Sequence, residues 1–177
     1  MIFPFLSSPQ KVFMKPDFKA WKTLRLGTGL KTAEDFRHAL KRGGYKVSAR
    51  ADDILGQPAF RASETEAEVD LVVVSVAELG FKSGACRKDL YQRAQERGLL
   101  LCPAEVGPQL RLQYPDQPKG AALLIGMEPI ADSAGGLVVF DLVGRGNRRW
   151  LRGNVGDPDN VWGGDTRFVF LRPRRPA

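Results

Sequence analysis

Two stretches of this 177-residue chain hold polar side chains dense enough to do chemistry. The first lies between Pro103 and Pro118, where Glu105, Arg111, Gln113, Tyr114, Asp116 and Gln117 stand among four prolines. Gln109-Leu110-Arg111-Leu112-Gln113-Tyr114 alternates polar and apolar residues, which predicts a half-buried strand with Gln109, Arg111 and Gln113 on one face. If that face lines a cleft, Arg111 can clamp a carboxylate or phosphate with two parallel N–H bonds. Gln113, Glu105 and Asp116 would then complete a ligand-binding site. The plainer alternative is a solvated polar face, or an Arg111 paired internally with Glu105 or Asp116.

In the second stretch Trp150, Trp162, Phe168 and Phe170 are interleaved with Arg148, Arg149, Arg152 and Arg167. Aromatic rings stack on bases and arginines neutralise phosphates, so Arg148, Arg149, Trp150 and Arg152 form a candidate nucleic-acid contact. Any antiparallel strand with one wet face gives the same alternation. No RNP-like, KH or zinc-finger motif accompanies it. The terminal Arg172-Pro173-Arg174-Arg175 reads as a solvated tail.

The remaining motifs are weaker. Gly27-Thr28-Gly29-Leu30-Lys31-Thr32 lies where a phosphate loop would lie, but Leu30 stands where a P-loop needs glycine and Thr32 where a dinucleotide loop needs its third glycine. A glycine turn leading to a threonine cap accounts for it. His38, the one histidine, falls on a helix surface. Asp157-Pro158-Asp159-Asn160 with Asp165 groups oxygen ligands, but the order is not that of an EF-hand and turn chemistry explains the loop. No metal or cofactor is expected. Cys86 and Cys102 read as buried thiols, Cys86 in a helix. A carboxylate-based enzyme site would have to draw on Glu105, Asp116 and Glu128.

The elements that must position these residues follow from local pattern. Trp21–Leu26 predicts a strand. Thr32 with Glu34 and Asp35 opens a helix that Lys41, Arg42 and Gly43-Gly44 close. Tyr45–Ser48 predicts a short strand, Ala51–Leu55 a helical turn, and Val69–Val76 a buried strand. A second helix runs through Cys86, Leu90, Tyr91 and Ala94 to Gly98, and Leu99–Cys102 returns as an extended segment. Leu123–Met127 and Leu137–Val143 form a hairpin. Trp150–Arg152 and Arg167–Leu171 add strands, with residues 153–166 between them as a long loop. The fold class is α+β, with two helices in the N-terminal half and a mostly antiparallel β-sheet in the C-terminal half. Residues 1–20 read as an N-terminal extension, 21–172 as a single α+β domain and 173–177 as a basic tail.

Hydrophobic residues at 43% and charged residues at 27% are ordinary globular usage, enough for a core. Net charge is +7, unevenly spread: residues 1–50 hold eleven Lys/Arg against three Asp/Glu, residues 51–110 six against ten, and residues 111–177 ten against seven. Such asymmetry suits a surface facing a polyanion. No apolar run is long enough for a bilayer, and the N-terminus lacks the regions of a secretory leader, so a cytoplasmic protein without membrane contact is expected.

Three segments, 21–30 (WKTLRLGTGL), 85–90 and 105–114 (EVGPQLRLQY), resemble segments of an uncharacterised family of predicted bacterial proteins. The overlap runs from about Trp21 to about Arg172. The resemblance implies a bacterial, self-contained domain and no particular chemistry. The reading is therefore a non-catalytic binding or interaction protein that recognises an anionic ligand or an acidic partner. A nucleic-acid-associated protein is the first alternative and an enzyme with a carboxylate-based site the second.

Overall fold

The structure, a computed structural model, describes residues 18–174. Along the chain the elements are β1 (Lys22–Leu26), α1 (Ala33–Arg42), β2 (Lys46–Val47), α2 (Ala49–Leu55), β3 (Ala67–Ser75), β4 (Ala85–Cys86), α3 (Arg87–Glu96) and α4 (Val106–Gln113). Then come β5 (Ala122–Ile125), β6 (Ile130–Ala131), β7 (Leu137–Arg145), β8 (Arg148–Val155), β9 (Val161–Trp162) and β10 (Arg167–Arg172). The fold is α+β. Most of the expected N-terminal extension lies outside the described residues.

The first helix forms for the reason its sequence suggests. Thr32 Oγ1 accepts the Asp35 N–H at 3.1 Å, and the Asp35 carboxylate accepts the Thr32 N–H at 2.9 Å, a reciprocal cap. Gly27, ahead of it, has φ +65°, and a Cβ there would lie 2.1 Å from the Thr65 carbonyl, so the turn requires glycine.

The main sheet runs β1-β3-β10-β5-β7-β8-β2, with β6 added on β7, and a two-strand ribbon joins β4 to β9. Its layout departs from the expected division into a helical front and an antiparallel back. Two pairings, β10 with β5 and β2 with β8, are parallel, so the sheet is mixed. Strands from the front half occupy both ends: β1 and β3 at one, β2 at the other. Among the described residues there are four helices rather than two, since Ala49–Leu55 is a full short helix capped by Ser48 and 106–113 is helical. The expected loop 153–166 also shrinks, because β8 runs on to Val155 and β9 lies within it.

Helices cover both faces of the sheet. Directly paired residues share a face. Phe168 pairs with Leu124, and Leu124 with Asp141, so these three point one way and Phe140 the other. On Phe140's side sits α4: a Cβ on Gly107 would lie 2.5 Å from the Phe140 ring. On the opposite side α3 lays Tyr91 edge-on against Phe168 and Phe170, at ring separations of 6.4 and 5.9 Å. One continuous apolar core joins both halves of the chain, from Leu24 and Phe36 to Phe140, Leu151 and Phe170. No helix among the described residues is long and apolar enough to cross a membrane.

Candidate functional site

The strongest polar constellation lies on the outer part of the sheet. Alternation along β8 puts Arg148, Trp150, Arg152 and Asn154 on one face. Their partners on β7 are Arg145, Val143, Asp141 and Val139. The edge strand β2 adds Lys46 directly opposite Trp150. Arg145, Arg148 and Lys46 are exposed and make no ion pair among the described residues. Trp150 is half-buried.

Arg152 is held in place from below. Its Nε and Nη2 donate to the two oxygens of Asp141 at 3.3 and 2.7 Å, and the carboxylate also accepts from Asn154 Nδ2 at 3.3 Å. Asp141 is 1% exposed, whereas the Arg152 side chain is 38% exposed. The hydrogen bond to Asp141 raises the guanidinium's pKa, so it is cationic throughout the physiological range. A buried carboxylate thus fixes a cation whose remaining N–H groups face outward.

Beyond Val47 the strand β2 stops, and the edge of β8 borders a cleft of about 370 Å³ lined by Ser48, Ala49, Arg50, Arg152, Gly153 and Asn154. Ser48 Oγ accepts the N–H groups of Ala51, at 3.2 Å, and Gly153, at 3.1 Å, which ties α2 to β8. Glycine at 153 permits the approach, because a Cβ there would lie 2.8 Å from Arg50 Cβ. Arg50 reaches Asp132 at 3.7 Å, beyond a hydrogen bond.

The expected site around Arg111 is organised differently. Residues 109–114 do not form a strand: Val106–Gln113 is the helix α4. Arg111 is 0% exposed. Its guanidinium donates to Gln117 Oε1 and the Tyr114 carbonyl and sits 5.0 Å from the Tyr45 ring centre. Burial, with Arg149 nearby, pulls its pKa down to about 10. Gln113 holds the outer edge of β1, accepting the Arg25 N–H at 3.0 Å and donating to the Arg25 carbonyl at 2.8 Å. Glu105, also 0% exposed, accepts the N–H groups of Gly27 at 2.9 Å and Ser63 at 2.8 Å, and Gln109 Nε2 at 3.1 Å. Asp116 is exposed beyond the other end of the helix. Glu105 and Asp116 therefore do not converge, and Glu128 lies on the surface after β5.

Of the predicted arginine–aromatic set, Arg148, Trp150 and Arg152 come together. Arg149 points to the other face, donating to the Gln117 carbonyl at 3.2 Å. Phe168 and Phe170 are core residues, and Trp162 packs 6.0 Å from Phe168. His38 is exposed on α1, 2.8 Å from Glu34. Cys102 is buried, while Cys86 is half-buried at the end of β4 and stands at the residue just before α3, without a side-chain capping bond, instead of lying within the helix. Asp157 accepts the Asp159 N–H at 2.8 Å as a turn, and among the described residues no three His, Cys, Asp or Glu side chains group to hold a metal.

Lys46, Arg50, Asp141 and Asn154 are absent from the sequence-derived sites. Asp141 carried a usable signal, a single charge inside the apolar run Leu137–Val143, because a carboxylate in a central strand needs a partner. No protein-family model, no curated protein and no solved structure matches the chain.

Proposed function

We propose that this protein is a non-catalytic binding protein for an anionic partner, seated on the β8 face along Arg148, Trp150 and Arg152 with Lys46 beside them. The observation that carries this reading is the register: β2, β7 and β8 align these cations around one indole, and the one carboxylate beneath them, Asp141, is already bonded to Arg152. The cations thus meet little competing negative charge at the surface. Glu105 and Asp141, the buried carboxylates, are occupied by N–H donors, which supports binding over acid–base chemistry.

Nucleic acid is favoured over an acidic protein by Trp150. Alternate residues on a strand lie about 6.7 Å apart, a step comparable to that of an extended nucleotide chain. An indole between two guanidinium groups supplies stacking as well as charge. The test is fluorescence anisotropy with single-stranded oligonucleotides from low to physiological salt, with polyglutamate as comparator. Affinity should fall steeply with salt, and Trp150→Ala should lose about 1–3 kcal/mol on the oligonucleotide. Equal affinity of Trp150→Ala and the parent protein for the oligonucleotide would remove the stacking role. Preference for polyglutamate would replace nucleic acid with an acidic protein.

A further inference from the structure

Arg111 is a buried cation without a counter-charge, and we propose that Arg111 and Arg149 together form a second anion site, for a phosphate group, on the α4 side of the sheet. The site is independent of the β8 row. Arg149 pairs with Gly144, on the same face as Phe140, whereas Arg148, Trp150 and Arg152 point the other way.

Three features support it. The first is the missing charge. Arg111 heads the fully buried side chains in volume, and a charge taken out of water ordinarily has an opposite charge beside it. Its acceptors, Gln117 Oε1 and the Tyr114 carbonyl, are neutral, and its Nε is buried with no acceptor. Among the described residues no carboxylate pairs with Arg111 or Arg149, and Asp116, the acid nearest to Arg111 in sequence, is exposed.

The second is convergence. Both arginines bond one residue: Arg111 Nη1 donates to the side-chain oxygen of Gln117, and Arg149 Nε to its main-chain oxygen at 3.2 Å. Gln117 is itself anchored, donating through Nε2 to the carbonyls of Ala121 at 3.2 Å and Leu142 at 3.0 Å. Two like charges are thus held side by side, near enough for Arg149 to lower the pKa of Arg111. An anion between them would turn that repulsion into attraction.

The third is the cover. The Tyr45 ring lies over the Arg111 guanidinium, is half-buried, and follows Gly43-Gly44. A Cβ on Gly43 would lie 2.6 Å from that ring, so the ring rests on a glycine turn and can swing away to open Arg111. Arg149 is half-buried and uses only its Nε within the protein, which leaves its other N–H groups for a ligand. A phosphate carrying about −1.5 to −2 charges at pH 7 matches two guanidinium groups, where a monocarboxylate leaves one uncompensated.

Inorganic phosphate and glycerol phosphate are titrated into the protein at constant ionic strength and neutral pH, followed by thermal melting and by NMR of the arginine Nε–H groups. Phosphate should raise the melting temperature saturably where chloride and acetate do not, and should shift the Arg111 Nε–H signal. The tighter of the two probes tells free phosphate from a monoester. Arg149→Met should melt no lower than the parent protein in chloride, since it removes the like charge, and should bind phosphate at least about tenfold more weakly. Trp150→Ala should keep the full response. Loss of the response in Trp150→Ala would place the phosphate on the β8 face and overturn the second site. An Arg149→Met protein that melts lower in chloride and keeps its phosphate affinity would make Arg149 a structural residue. No response to either probe would remove the site and leave the β8 reading standing.

Discussion

The guanidinium of Arg152 spans both carboxylate oxygens of Asp141 across the β7–β8 pair, on a face that otherwise holds cations, apolar side chains and Asn154. The two residues are unequal. Asp141 is out of water, and Arg152 is the route by which its charge is compensated. On the proposed binding reading the bond couples stability to recognition, because the group that neutralises the core carboxylate is also the one that would face the anionic partner.

That inequality predicts the order of a mutant cycle. Arg152→Met leaves a buried carboxylate with only Asn154 and should cost about 2–4 kcal/mol, below the full value for a buried pair because Arg152 reaches solvent. Asp141→Asn keeps the shape and should cost about 1–2 kcal/mol. The double variant should be more stable than Arg152→Met alone. Urea denaturation of the four proteins measures the coupling, and additive losses would mean that the pair is not coupled.

At the opposite edge of the sheet, Gln113 stands in for a neighbouring strand. Its amide occupies both backbone groups of Arg25 that face away from β3, which blunts an edge that could pair with another chain. Gln113→Leu should lose about 1–2 kcal/mol and leave the Arg25 amide open to solvent. Hydrogen–deuterium exchange over β1 should accelerate in the variant, and unchanged protection would show that the contact does not guard the edge.

The same helix shows where sequence pattern succeeds and fails. The capped helix α1 and the hairpin of β5 and β7 could be read locally, because their signals are adjacent in sequence. The residues of α4 alternate like a strand because the helix is buried on nearly every side from Val106 to Arg111, so no polar stripe marks a solvent face. The signal lay in Glu105, Gln109 and Gln113, spaced by four and so stacked on one helix face, where they bond in series. Pro108 falls in the first turn, where its missing N–H costs nothing. On β8 a strand was expected at Trp150–Arg152, but Arg149 was grouped with Arg148, Trp150 and Arg152 although it points to the other face, and Lys46 and Arg50 could not be joined to the row, since a parallel pairing across more than a hundred residues leaves no local mark. Strand order, too, is a property of long-range pairing.

Close packing makes a further claim about α4. Gly107→Ala removes the helix penalty of glycine, about 1 kcal/mol, but drives a methyl to within 2.5 Å of the Phe140 ring. Overpacking of this kind costs about 1–3 kcal/mol, so the net effect should be destabilising. Pairing it with Phe140→Leu should recover part of the loss. A Gly107→Ala protein as stable as the parent would show that the interface between α4 and the sheet yields easily.

Acid should expose the contribution of Asp70. Its carboxyl is held below the usual aspartate range first by the Arg174 hydrogen bond, at 2.7 Å, and then by the Thr23 hydroxyl at 2.8 Å, against an opposing effect of burial. Arg174, expected to belong to a solvated tail, thus clasps β3 through Asp70 and Glu68. Because the folded value lies below the unfolded one, near 3.9, the folded protein binds fewer protons between the two. The stabilisation is complete above about pH 5 and is lost as pH falls through the folded value. Its size should stay below about 1 kcal/mol, since the pair touches solvent. The stability difference between the parent protein and Asp70→Asn, measured by urea denaturation from pH 6 to pH 2, should be constant at first and then shrink toward zero. Arg174→Ala should show the same loss at neutral pH without the acid dependence of the pair. A difference that persists undiminished at pH 2 would assign the effect of Asp70 to shape and not to charge.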